Sequence, residues 1–401
     1  MMRIAMPVSF RFTCSGRLRW VPLLLGLLVS ACADEPGRPT TSPYYPPTTV
    51  YRMERANRGT EAYSAWFGDS DGRVLYFGLS PFWELWWRTD GDARADLAEP
   101  GDLLIGRFDL DRQSFLPPLH VRGLTDDPHS SVWDVLVHSN GRIYYTTYFE
   151  GMGSVSSDGT DVKVFAHLGT GLNELYEGPR GNIYVTRYSN TPRRVELQNY
   201  GGVAELTPEG ALVREIRFLR DDERFTAPKS VAVDPGSGEI WVNTDTFWVD
   251  GSVRHETIHL APDGSEISRE DAPPELHFVN FGPGGRGYFA ESVDGVFRLR
   301  VTQGGRELAV VPLGPRGALD FIQDIHFTPR GDAILAYWSG RVTVVRREGS
   351  EFRPQEILLT PPDDCLPPQR ESLLYSAVAH RGRVYATLHC GATVLSAPLP
   401  R

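Results

Sequence analysis

Lysine is nearly absent from this chain. Lys163 and Lys229 are the only two in 401 residues, so arginine supplies almost all of the 41 basic side chains set against 51 acidic ones. That skew reads as the coding bias of a GC-rich genome rather than as function. The formal net charge is −10, an acidic balance that disfavours nucleic acid or an anionic bilayer surface as partner. No apolar run is long enough to span a bilayer comfortably: Trp20 to Val29 reaches only ten residues. Between the strand-like segments there is no amphipathic helix of useful length, which argues against an α/β sheet. Neither a G-x-S-x-G elbow nor a P-loop occurs, so two common catalytic layouts are excluded.

What is present is a repeat. A short apolar strand, a tight turn carrying Gly and a second strand recur at Ser64–Gly78, Asp134–Thr147, Glu174–Thr186, Ser230–Asn243, Phe278–Ala290, Asp324–Tyr337 and Ser376–Thr387. Strand repeats at this period signal a radial β array, here about 48 residues per unit over residues 60 to 400. Third and fourth strands follow in most units, with hairpins turned by Pro208-Glu-Gly210 and Pro262-Asp-Gly264. Inner strands such as Val135-Leu-Val137 and Val231-Ala-Val233 are apolar at every position, as strands buried on both faces must be. The expectation is an all-β propeller of four-stranded antiparallel blades. Seven blades are favoured, and six would result if the Ser64 unit were a decorated arm. The chain ends soon after Leu399, so the last blade should borrow a strand from the other end of the domain, with Thr48–Glu54 the natural donor.

Arg3, Arg11, Arg17 and Arg19 followed by the Trp20–Val29 run read as a secretory signal. Val29-Ser-Ala-Cys32 then resembles a bacterial lipobox. The resemblance implies cleavage before Cys32 and diacylglycerol and acyl (palmitate) chains on that residue, a lipoprotein anchored to a membrane of the cell envelope. Ala33 rather than Asp after the cysteine favours the outer membrane in a Gram-negative cell. Residues 1–31 would be the signal, 32–58 a Pro/Thr-rich tether and 59–401 the propeller. Loss of the signal removes four Arg, giving 37 − 51 = −14. Cys14 leaves with the signal, so Cys365 and Cys390 remain. In an oxidising compartment they should bond, contributing roughly 3 kcal/mol by closing a loop of about 25 residues. A two-Cys metal site lacks further ligands at zinc spacing.

The V-x-V-D-x-x-G-x-I-W/Y-V lines, clearest at Val231–Asn243 and Glu177–Thr186, resemble NHL and SMP-30/gluconolactonase-like propellers. That family implies a fold which hosts many unrelated functions. It also implies metal-dependent lactonase chemistry, but Glu177, in a Glu-Gly-Pro that looks like the family's own, aligns with the turn residue Asp234 and is out of register.

Aligning the units on their turn Gly places Ala65, Asp134, Glu174, Ser230, Phe278, Asp324 and Ser376 just before the inner strands, at the mouth of a central channel. Asn173, His277, Gln323 and Tyr375 lie beside them. Asp134, Glu174 and Asp324 could together ligate one divalent, Ca²⁺-like cation through oxygen, or simply line a solvated acidic mouth. Long connections at 79–102, 187–201 and 245–255 should share that face, and Trp83, Trp86, Trp87 and Trp248 on them suit a carbohydrate, small-molecule or protein ligand. Asp324 and His326 point the same way on one strand and read as a buried hydrogen-bonded pair. Two functions follow: a monomeric, lipid-anchored binding module, or a hydrolase of the lactonase or esterase kind with its metal at the channel mouth.

Overall fold

The chain is described from a computed structural model over residues 44–53, 64–80, 103–123, 131–147, 151–169, 171–187, 201–218, 220, 223–248, 252–271, 278–293, 296–314, 322–362, 374–389 and 392–400. These residues form seven four-stranded antiparallel sheets, each ordered from an inner strand outward. The inner strands are Ser64–Ser70, Val132–Val137, Leu172–Glu177, Glu223–Val233, Phe278–Gly282, Ile322–Phe327 and Leu374–His380. The Ser64 unit carries all four strands, ending at Ser114–Val121, so it is a full blade and the count is seven. The only helix among the described residues is a single 3₁₀ turn, Ala166–Leu168.

The ring closes as the sequence suggests. Thr49–Arg52 pairs antiparallel with Thr393–Pro398 and supplies the outermost strand of the seventh blade. This strand lies within the stretch read as tether, so the propeller takes up chain before residue 59. Upstream, Tyr44 clips onto the outer strand of the sixth blade through its backbone, donating to the Glu356 carbonyl at 2.9 Å and accepting from Leu358 N–H at 3.1 Å. Cys14, Cys32, Cys365 and Cys390 lie outside the described residues, as do Trp83, Trp86 and Trp87. The expected connection at 245–255 is mostly strand: Ile240–Trp248 and Val253–Leu260 pair as far as Phe247 and Val253, so Trp248 ends a strand. Its side chain lies outside the description.

Blades pack face to face, and apolar side chains of neighbouring sheets fill the wedges between them. Between the third and fourth blades, Val203 and Ile216 meet Val231, Val242, Ile258 and Leu260, all at most 5% exposed. Burial on both faces is why the inner and second strands read as unbroken apolar runs.

Six of the seven inner strands carry a bulge at the same level, opposite their second strand. The fifth, Phe278–Gly282, pairs without one. In blades two, three and seven the residue facing the bulge is Thr146, Thr186 or Thr387, each fully buried. Its hydroxyl accepts the freed backbone N–H of Asp134 (3.3 Å), Glu174 (2.9 Å) or Ser376 (3.1 Å). Two of these hydroxyls also donate across to the next blade, Thr146 to the Asn173 carbonyl at 2.5 Å and Thr387 to the Trp66 carbonyl at 3.1 Å. In the first blade the facing residue is Gly78, where a Cβ would lie 2.3 Å from the Val132 carbonyl oxygen. There the neighbouring strand approaches too closely for any side chain.

Thr387→Val removes the hydroxyl but keeps the shape, stranding a buried N–H and a buried carbonyl at the seam between the seventh and first blades. Urea unfolding should show a loss of about 2 kcal/mol or more. The matched control is Thr343→Val. Thr343 is fully buried and its hydroxyl has no hydrogen-bond partner, so this change should be neutral or stabilising.

Candidate functional site

The inner strands enclose a cavity of about 280 Å³ on the channel axis. Its lining runs from the bulge level to the ends of the inner strands, where the tight Gly turns begin. Two layers of side chains face it. At the bulge are Phe67, Asp134, Glu174, Ser230, Phe278 and Asp324; two residues on are Asp69, Leu136, Tyr176, Asn280 and His326.

All three acids promoted by the repeat alignment therefore share one cavity. The first blade needs a correction: Phe67 occupies the aligned position, because the bulge puts Ala65 two residues further out, opposite Leu79. Glu177, discounted as out of register, lines the same cavity at its turn end, where it accepts the Ser139 N–H at 2.9 Å. Asp69, Asn280 and His326 were not singled out as channel residues. Each sits two positions beyond the aligned one, and in a strand of period two such residues face the same way. Among the described residues lining the cavity there are five carboxylates, one histidine and no lysine or arginine.

Several of these polar groups bracket neighbouring blades. Asp69 Oδ2 accepts the Val137 N–H of the second blade at 2.9 Å, and Asp134 Oδ2 accepts the Leu175 N–H of the third at 2.7 Å. Asp134 Oδ1 takes its own neighbour's N–H, from Val135, at 2.8 Å. Asn280 donates to the Ile325 carbonyl at 2.8 Å. In the sixth blade His326 Nε2 lies 2.6 Å from Asp324 Oδ2 and 3.0 Å from the Gly68 carbonyl, with Nδ1 3.7 Å from Asp69. The Asp324–His326 pair is thus hydrogen-bonded, as its spacing suggested. Ser376 completes the seam, donating to Asp324 Oδ2 at 2.7 Å and accepting the Gly68 N–H at 3.0 Å. Its hydroxyl is turned to the carboxylate rather than the imidazole, so Ser376, Asp324 and His326 do not form a nucleophile–base relay.

Glu174 is held differently. It receives Trp133 Nε1 at 3.3 Å and Asn173 Nδ2 at 3.5 Å on Oε1, and its carboxyl also hydrogen-bonds the carboxyl of Asp134. Asn173 is 3% exposed and its carbonyl oxygen has no hydrogen-bond partner. The expected shared metal is not matched by this donor set: both Asp134 oxygens already take backbone N–H groups and Asp324 is paired to His326. Among the described residues no three His, Cys, Asp or Glu side chains are grouped to hold one ion.

On the other side of the bulge layer, where the inner strands begin, the rings of Trp66, Phe67, Trp133, Trp338 and Tyr375 pack together. Trp66 lies 4.3 Å from Trp133 and 4.6 Å from Tyr375 between ring centroids. His389 packs edge-on against Trp66 at 5.0 Å. It is 1% exposed with neither ring nitrogen bonded, and burial lowers its pKa to about 3, so it stays neutral. Trp66 and Trp133 occupy the bulges, one residue before the aligned positions. The repeat register could have found them.

Burial raises the Asp134 pKa to about 7, with Asp324 and Asp69 adding to it and the Leu175 N–H opposing. Burial likewise pushes Glu174 well above the ordinary range, reinforced by Asp134, and raises Asp69. Burial alone would lower His326, but the charge and hydrogen bond of Asp324, with Asp69, override it and bring the imidazole up to about 9.

No family model and no curated relative matches the chain. It is similar to a solved structure of catalytically inactive virginiamycin B lyase from Staphylococcus aureus with quinupristin. The identity is 10%, coverage is 88% of this chain and 100% of that one, and the TM-score is 0.53. It is similar also to the Dos1 propeller (11% identity, 82% and 77% covered, TM-score 0.40) and to YCF48 bound to a D1 peptide (11%, 91% and 98%, 0.48). At such identities the likeness is one of fold, and the chain is a seven-bladed β-propeller.

Asp134 and His326, both raised, act on stability in the same direction. A carboxyl raised in the fold stabilises fully below its unfolded value, near 3.8 for Asp134, and loses that contribution as pH rises through about 7. His326, also raised, contributes fully below 6.5 and loses it through about 9. Below about pH 6.5 the buried His389, held neutral at about 3, gains with rising pH and offsets this loss, so melting temperature should fall chiefly between about pH 6.5 and pH 9. In calorimetry, Asp134→Asn should flatten the lower part of that fall and His326→Asn the upper part.

Proposed function

We propose that the chain is a ligand-binding propeller of the cell envelope, held to a membrane through lipid on Cys32, with its binding site in the central channel. The observation that carries the reading is the lining: among the described residues, five carboxyl groups and several aromatic rings face one small cavity with no lysine or arginine beside them. A cavity near 280 Å³ lies at the small end of ligand pockets, roughly 300–1,000 Å³. Burial raises Asp134, Glu174 and Asp69, so the lining offers acid groups that can donate as well as accept hydrogen bonds, and its negative field grows only as pH rises through about 7. The hydrolase reading has less support. It needs a shared cation on Asp134, Glu174 and Asp324, whose oxygens are largely committed to backbone or to His326. The Trp residues of the long connections enter this reading only as an outer contact surface.

A thermal-shift screen of small metabolites against the full-length chain in detergent tests the site. Compounds that raise the wild-type melting temperature should lose their effect in Glu174→Gln and in Asp134→Asn. Hits that ignore both substitutions would place binding elsewhere.

The anchor is tested separately. Radiolabelled palmitate should enter the wild-type chain and not Cys32→Ser; equal labelling of the two would remove the anchor from the proposal.

A further inference from the structure

Whatever the channel holds, we infer that the ring opens along the seam between its fourth and fifth blades while the other six seams stay shut.

Three observations single out that seam. The first is its apolar filling. Between every other pair of neighbouring blades lies a cluster of nine to thirteen buried apolar residues. Among the described residues, the wedge between blades four and five buries three: Ala232 on one wall, Val279 and Phe289 on the other. Hydrophobic stabilisation scales with the apolar area removed from water, so this wedge is the most weakly held of the seven.

The second is hydrogen bonding across the seams. Asp69 joins blades one and two, Asp134 joins two and three, and Asn280 joins five and six. Ser376 reaches both of its neighbours, and Arg214 ties the third blade to the Pro262 carbonyl of the fourth at 2.6 Å. Among the described residues, no hydrogen bond or ion pair joins blades four and five. At the bulge level the fourth blade presents Ser230, which accepts from Asn243 of its own sheet at 2.8 Å, and the fifth presents Phe278. What crosses here is packing: Trp241 lies edge-on to Phe289, with 4.9 Å between ring centroids.

The third is that the polar groups of each wall are paired within their own blade. Trp241 stacks on His259 at 3.7 Å, and His259 Nε2 lies 3.1 Å from Glu239. On the facing wall Arg300 lies over the Phe289 ring at 4.5 Å, and Arg298 and Arg300 hold Glu291 at 2.8 and 3.1 Å. Parting the walls breaks none of these bonds. Segments with few buried apolar contacts open at lower free energy than the fold as a whole. Ser230 and Phe278 line the channel cavity on either side of this seam, so parting them opens the cavity sideways.

Thiol labelling under native conditions tests this on the full-length chain in detergent. The modified residue is read by peptide mass, so the native cysteines are counted separately. Ala232→Cys puts a thiol in the weak seam, and Ala377→Cys puts one in the filled seam between blades six and seven; both alanines are 1% exposed. A thiol so placed reacts when its surroundings open. The Ala232→Cys thiol should be alkylated at least about tenfold faster than the Ala377→Cys thiol. Its rate should change little in low urea, because a local opening exposes little surface, whereas the Ala377→Cys rate should climb with the steep slope of global unfolding. Equal rates, or the same steep urea slope at both sites, would overturn the inference. If Ala232→Cys does not melt cooperatively, Val279→Cys reads the same seam from the facing wall; Ala336→Cys stands in for Ala377→Cys in the same way.

Discussion

Seven strands must converge on one axis, and the bulge is how six of them do so. Parallel approach to an axis crowds the inner edge of every blade. An extra residue in the inner strand bends it and re-aims the side chains around it. The cost is a backbone N–H left without its ladder partner, which a buried structure does not tolerate. Thr146, Thr186 and Thr387 answer that cost from the second strand, and two of their hydroxyls also reach the carbonyl of the next blade. One hydroxyl thus repairs a blade and joins it to its neighbour. The first blade reaches the same end by the opposite means, with Gly78 leaving room for direct approach.

The same geometry decides which channel acids are structural. Asp69 and Asp134 spend oxygens on backbone N–H groups of the following blade, while Asp324 is held by His326 and Ser376. These groups hold the ring closed around the axis. Charge-assisted hydrogen bonds of this kind offset the burial of a carboxylate only in part: burial still brings Asp134 up to about 7, with Asp324 and Asp69 adding to it. Glu174 takes no backbone donor; it is held by the side chains of Trp133, Asn173 and Asp134. A substitution at Asp134 or at Glu174, two lining acids that are hydrogen-bonded to each other, acts on stability and on the cavity together.

Much of this was legible in the sequence. Period and strand pattern predict the blades, and the missing outer strand after Leu399 predicts the closing one, since an open edge in a ring invites the nearest spare strand. The turn Gly also carries a register good enough to bring Asp134, Glu174 and Asp324 to one cavity. It failed where chain count and register part company. A bulge adds a residue without a signature, so the first blade slipped from Phe67 to Ala65, and Glu177 looked misplaced although the cavity extends to the turns. Asp69 was not singled out, and His326 was read as half of a structural pair. Recognising both as lining required the second layer, which becomes visible once the channel is known to be deep.

Depth also moves the site. The expected mouth lay where the inner strands begin, beneath the long connections, because loops on a rigid scaffold usually carry binding residues. Among the described residues at that end, Trp66, Phe67, Trp133, Trp338 and Tyr375 pack together across blades six, seven, one and two. The cavity lies on the turn side of those rings, and its lining comes from strands and their tight turns. A site built on strands positions its groups more rigidly than one built on loops. Selectivity here then follows from the inner-strand sequence, above all from the two residues that each bulge turns toward the axis. Trp133 joins the two regions: its ring belongs to the aromatic layer and its indole N–H to Glu174. Packing at the strand-start end therefore bears directly on the orientation of the Glu174 carboxyl.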